Sequence, residues 1–160
     1  MKINEILRDD SLSSGQQPRK LVFKDIASPN VYFVHEDATV SLIAQQMATH
    51  WTDTIFVKND EEKVTGIITD GIIWNLIAKE NDPTDPRTLK AKEIMFKHFL
   101  RVDWDTPVES IEKIREVLEN SKNKIQRIGI IKDGTIIGLV RKKFIEHIKR
   151  YSRNFSFSLK

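Results

Sequence analysis

The chain has no cysteine among its 160 residues, which excludes disulfides and thiolate-held metal sites. Its six glycines are scattered, so there is no glycine-rich phosphate loop, and no G-x-S-x-G nucleophile turn occurs. The four histidines, His35, His50, His98 and His147, show neither an i, i+4 pair nor an HExxH motif, so the sequence argues for no metal site. No apolar run approaches the ~18 residues needed to cross a bilayer. The first residues, Met1 to Glu5, lack the basic-then-apolar pattern of a secretory signal, which makes the cytoplasm the expected compartment. Hydrophobic residues make up 39% and charged residues 31% of the chain, a balance that suits a folded globular protein rather than a disordered one.

The formal net charge of +3 is unevenly placed. From Arg141 to Lys160 the chain carries seven Lys/Arg against the single Glu146. A basic C-terminal end suits an anionic partner, whether nucleotide phosphate, nucleic acid or an acidic protein surface, and it equally suits a solvated basic face.

An internal repeat organises the remainder. "KDIASPNVYFVHEDATV" from Lys24 and "KEIMFKHFLRVDWDTPV" from Lys92 align so that Lys24/Lys92, Ile26/Ile94, Val34/Val102, Asp37/Asp105 and Val40/Val108 pair at one offset. Further on, "KVTGIITDGIIWNLIAK" faces "TIIGLVRKKFIEHIKR", with Gly66 opposite Gly138. Similarity over this length marks a duplicated supersecondary unit. Each copy reads as a short KDI/KEI helix, a strand (31–34 or 99–103), an amphipathic helix, two strands and a closing helix (70–79 or 142–150). In the first copy Val40, Ile43, Ala44, Met47, Ala48 and Trp51 recur at helical spacing. In the second, Thr106-Pro107-Val108-Glu109 reads as a capping box with proline at the first helical position. Asp133-Gly134 suits the positive φ angles of a tight hairpin. Ile43, Met47, Ile67, Ile111, Ile130 and Ile137 are the expected core positions.

The expected organisation is therefore an N-terminal helix and flexible segment at 1–20, a first unit at 21–80, a linker at 81–89 around "NDPTDPR", a second unit at 90–150, and a basic, aromatic tail at 151–160. The fold class is mixed α/β (α+β): two pseudo-symmetric β-α-β-β-α units packed together.

This pattern resembles the CBS domain pair, or Bateman module. The resemblance rests on the KDI and KEIM openings, the doubled element order, the strand–turn–helix endings "GIITDGII" and "GLVRKKFI", and "RIGII" at 127–131; it covers roughly residues 21–150. It implies a regulatory ligand-sensing module with no catalytic residues, no resident cofactor and no metal, which binds an adenine nucleotide (AMP, ADP or ATP) or another phosphorylated metabolite between its units. It further implies a homodimer formed through helical faces, with Ile72, Trp74, Ile77, Phe144, Ile148 and Tyr151 as apolar candidates. The family's ligand signature ends in an aspartate that binds ribose hydroxyls; Ile72 and Phe144 stand in that place in the two copies.

The candidate ligand-binding residues are Tyr32, Trp51, Thr69, Asp70, Arg127, Arg141 and Lys142. Thr69 and Asp70 stand at a strand end and helix start, where they either cap the helix or touch a ligand. Arg127 matches a family position that reaches phosphate, and its fork suits charge-assisted bonds. Arg141, Lys142 and Lys143 open the last helix, where cations oppose the helix dipole unless an anion intervenes. Tyr32 and Trp51 match apolar family positions bordering the purine and otherwise read as core. The alternative function is an interaction protein with empty clefts whose basic end docks nucleic acid or an acidic partner. The discriminating property is how affinity responds to salt.

Overall fold

The computed structural model describes residues 20–120 and 125–147. The expected N-terminal helix and the tail at 151–160 lie outside them, as do Ile148, Tyr151 and the end of the last helix. The chain divides into two compact units, one built from residues 30–99 and the other from the residues before Asn30 together with those from Leu100 onward.

The unit at 30–99 contains β1 (Phe33–His35), α2 (Val40–His50), β2 (Thr54–Lys58), β3 (Val64–Thr69) and α3 (Asp70–Ile77), followed by a 3-10 turn (Pro86–Thr88) and α4 (Ala91–Ile94). Its sheet has the order β1-β2-β3, with β1 parallel and β3 antiparallel to β2. The other unit opens with α1 (Phe23–Ile26) and continues with β4 (Leu100–Asp103), α5 (Ile111–Glu119), β5 (Arg127–Lys132) and β6 (Thr135–Arg141). Residues 142–147 are helical and are called α6. The sheet order is β4-β5-β6 with the same mixture of directions. Each unit is thus a β-α-β-β-α body, as the repeat implies. Even the register shifts recur, between Val57 and Lys58 in one sheet and between Ile130 and Ile131 in the other.

The compact units are not the sequence repeats. The opening segment of each repeat belongs to the unit built by the other. Residues 21–28 pair with the second repeat: Phe23 N–H donates to Thr106 O (3.1 Å), Val108 N–H to Leu21 O (2.8 Å), and Ser28 and Leu139 exchange two backbone bonds (2.8 and 2.9 Å). Residues 89–96 pair with the first repeat. Val40 N–H donates to Leu89 O (2.8 Å), Ala91 N–H to Ala38 O (2.8 Å), and Ile67 and Phe96 exchange two bonds at 2.9 Å. The shared acid of KDI and KEI fixes both segments in the same way: Asp25 accepts from the backbone N–H of Val22 (2.9 Å) and Glu93 from that of Lys90 (2.7 Å). Lys92 Nζ then reaches the Asp37 carboxylate at 2.9 Å, and that hydrogen bond holds the Asp37 carboxyl below its ordinary range.

The exchange explains the paired glycines. A Cβ on Gly138 would stand 2.9 Å from Ala27 Cβ and 3.3 Å from Ser28 O, and a Cβ on Gly66 would collide with the Met95 side chain. Each glycine lets the foreign segment approach the sheet. Each core is correspondingly mixed in origin. Phe23, Ile26 and Ala27 pack with Ile114, Leu118, Ile128, Ile130, Val140 and Ile145. Ala91 packs with Val34, Val40, Ile43, Ile55, Val57, Ile68 and Ile73.

Several expectations change. The helix predicted from Pro107 starts at Ile111, capped by Ser110, whose hydroxyl accepts from Lys113 N–H at 3.0 Å. Residues 106–108 are extended because they pair with 21–23, an alternative that outweighs the local capping signal. The α2 helix ends at His50. Trp51 takes a left-handed cap conformation (φ 51°) and is 95% exposed, so it leaves the apolar face. Ile43, Ile67 and Ile130 are fully buried, while Met47, Ile111 and Ile137 are half-buried. The hairpin matches its sequence, with positive φ at Asp133 (51°) and Gly134 (78°).

Two measurements test the exchange. Residues 30–99 should melt cooperatively by circular dichroism, whereas 30–86, which lacks the 89–96 segment, should be unfolded; equal melting would show the segment to be dispensable. Gly138→Ala should lower stability in urea denaturation by about 1–3 kcal/mol, the usual cost of overpacking a tight site.

Candidate functional site

The end of each sheet, where the last strand turns into the closing helix, carries a polar corner built by the same backbone device. In the first, Asp70 N–H at the start of α3 donates to Asp53 O (3.0 Å); in the second, Lys142 N–H at the start of α6 donates to Gln126 O (3.1 Å). This bond ties the helix start to the residue preceding the middle strand. Thr54 then lies opposite Thr69 in one sheet, and Arg127 opposite Arg141 in the other. Asp53, Thr54, Thr69 and Asp70 therefore occupy the places of Gln126, Arg127, Arg141 and Lys142. One scaffold position carries acids and hydroxyls in one unit and cations in the other.

In the basic corner, Arg127 and Arg141 are direct cross-strand partners, which puts their Cβ atoms about 4.5–5.5 Å apart on one face. Both are half-buried. Arg127 Nη1 donates to Ile125 O at 2.7 Å, which orients the guanidinium. Lys142 Nζ lies 3.8 Å from a Glu119 carboxylate oxygen. Like charges placed opposite each other in a sheet are destabilising unless an anion offsets them. The structure thus gathers three of the expected residues, Arg127, Arg141 and Lys142, in one corner.

In the other corner, Thr54 Oγ1 donates to Asp53 Oδ1 at 2.7 Å, and Asp70 Oδ1 accepts from Gly71 N–H at 2.9 Å. Thr69 holds the N-cap position of α3, yet its side chain makes no capping bond. The capping expectation for Thr69 is therefore corrected: it ends β3 in extended conformation, and only 5% of the residue is exposed. Asp70 is exposed on the first turn, where its charge complements the helix dipole. Ile72 and Phe144, in the ribose-aspartate places, pack half-buried against their respective cores.

Tyr32 is half-buried and stacks on His50, with ring centroids 4.2 Å apart and planes within 15°. His50 Nε2 in turn bonds Gln46 Oε1 at 3.0 Å. Trp51 projects from the helix end, three residues before Thr54. Repeat alignment would have found Asp53 and Thr54, since they face Gln126 and Arg127. Nothing in the sequence marked the Tyr32–His50 stack.

Among the described residues, His35, Glu36 and Asp60 bring one ligand atom each within 4.8 Å of one another. Asp37 N–H donates to His35 Nδ1 (3.1 Å), which assigns the ring proton to Nε2, facing Asp60 Oδ1 at 2.7 Å. Beside β4 and α5 lies an apolar hollow of about 250 Å³, lined by Phe23, Leu100, Val102, Ile114, Val117 and Ile128 among others. On its rim Glu109 and Lys113 pair at 2.6 Å. No helix among the described residues is long and apolar enough to cross a membrane.

Comparison with known proteins agrees with this architecture. The family model for the CBS domain matches residues 23–73. Hypoxic response protein 1 of Mycobacterium tuberculosis is 27% identical over 119 residues, spanning 73% of this chain and 77% of that protein. A CBS-domain protein from Agrobacterium tumefaciens superimposes with a TM-score of 0.68 at 14% identity, over 86% of this chain and 99% of its own. A CBS domain pair solved with 5′-methylthioadenosine and S-adenosyl-L-methionine gives a TM-score of 0.65 at 20% identity, over 84% of this chain and 99% of its own. The chain thus matches the CBS-domain model over residues 23–73 and as a whole has the fold of a CBS domain pair.

Proposed function

We propose that the protein is a regulatory ligand-sensing module, not an enzyme, and that the corner formed by Arg127, Arg141 and Lys142 receives the phosphate of an adenine nucleotide or another phosphorylated metabolite. The observation that carries this reading is the opposition of two arginines in strand register at the start of a helix. Arg127, Arg141 and Lys142 offer charge-assisted donors, and the backbone N–H groups opening α6 add to the same potential. The match of residues 23–73 to the CBS-domain model supports the regulatory reading. The structural neighbour solved with two adenosine derivatives supports a ligand of this kind. Trp74 and Ile77 on α3 are 66% and 59% exposed, an apolar pair that suits a second copy of the chain and a homodimer. The alternative, docking of nucleic acid by the basic C-terminal end, draws on charge alone.

Calorimetry with AMP on the full chain tests the proposal. Charge-assisted bonds contribute about 1.5–3 kcal/mol each, so Arg127→Ala and Arg141→Ala should each weaken AMP by about ten- to a hundredfold. Arg153→Ala, outside the described residues, should change little. Indifference to Arg127→Ala would remove the phosphate site. Affinity for any polyanion that falls steeply with salt and erodes with every tail charge would establish the nucleic-acid reading instead.

A further inference from the structure

The apolar hollow beside β4 and α5 has no part in the phosphate reading. It measures about 250 Å³, more than the ~150 Å³ of a core cavity that takes up benzene, so more than one aliphatic side chain fits. Its place follows from where α5 begins. The matching helix of the other unit, α2, starts at Val40, which is 3% exposed. Val108, the counterpart of Val40 in the repeat, is paired with Leu21 instead, and α5 starts only at Ile111. The hollow lies beside this missing turn. Phe23, Ile114 and Ile128 of the core line it, together with Leu100 and Val117. Leu100 and Val117 are 37% and 44% exposed, apolar surface that gains from being covered.

The chain enters this unit at the rim of the hollow. Val108 N–H donates to Leu21 O (2.8 Å), Val22 pairs antiparallel with Pro107, and Phe23 lines the hollow itself. Continuing that register sets Lys20 opposite Glu109 on the rim. Every lining residue belongs to the unit that holds residues 21–29. Among residues 1–19, which lie outside the described residues, Ile3, Ile6 and Leu7 recur at the i, i+3, i+4 spacing of one helical face. Between them and Lys20 runs "RDDSLSSGQQPR", which has the polar, glycine- and proline-bearing composition of a linker. At up to ~3.3 Å per residue such a stretch reaches well beyond the hollow. A short flexible tether also holds its end at an effective concentration of about millimolar, so a modest apolar contact suffices.

We propose that Ile3, Ile6 and Leu7 dock into this hollow of the same chain, against Leu100 and Val117, and supply the cover that the absent first turn of α5 withholds. The occupant is identified by three observations: an apolar stripe of matching size, a polar connector, and an entry point on the rim. The inference does not depend on what the basic corner binds.

The lack of cysteine lets Glu5→Cys carry a single nitroxide label, on the helical face away from the apolar stripe. Amide NMR of the full chain so labelled should show broadening at residues 100–102 and 113–117. Adding either Ile6→Asp or Val117→Gln should abolish that broadening. The amide spectrum of residues 30–99 should stay unchanged in both variants, which shows that they fold. A mixed sample, with the nitroxide on one set of chains and the isotope label on another, should show no broadening. Broadening in the mixed sample would assign the hollow to the segment of a second copy and overturn the proposal. Sharp amides at 100–102 and 113–117 in the labelled chain, or broadening indifferent to both variants, would leave the hollow to another occupant and overturn it equally.

Discussion

Two short segments, 21–28 and 89–96, hold this fold together by each completing the unit built from the other repeat. Neither three-stranded sheet is finished without its guest. Ala91 is fully buried among residues of the first repeat, and Phe23 and Ile26 lie in a core otherwise drawn from the second. The backbone exchanges at Ser28–Leu139 and Ile67–Phe96 bring the guests so close that only glycine fits at positions 138 and 66. The requirement is steric, and it explains why these two glycines align in the repeat.

The same duplication yields two corners with one backbone plan and opposite chemistry. A bond from the first helical N–H to the residue before the middle strand sets each corner, and the antiparallel register places the next residues face to face. Substitution within that frame turned one corner basic and left the other acidic and hydroxylated. Both ribose-aspartate places are filled by side chains that serve the cores, Ile72 and Phe144. The residues beside that place differ in charge between the units.

Much of this was legible in the sequence. The repeat, the β-α-β-β-α order and the hairpin at Asp133-Gly134 follow from periodicity and turn chemistry, which act over a few residues. The gathering of Arg127, Arg141 and Lys142 was readable from their places at a strand start and a helix start. The errors arose where a distant partner outweighed a local preference. Thr106-Pro107 carries a sound capping signal, yet residues 106–108 gain more from pairing with 21–23. Trp51 continues the apolar spacing of α2 but falls after the helix has ended in a left-handed cap.

The sequence by itself determined the elements and the duplication, because helix faces, strand runs and turns are written in short-range patterns of side-chain size and polarity. Only the tertiary structure decided which segment completes which unit, that Thr69 stands over a helix without capping it, and that Asp53 and Thr54 join Thr69 and Asp70. Those outcomes depend on strand register and on contacts between residues far apart in the chain. Local propensity carries no record of either.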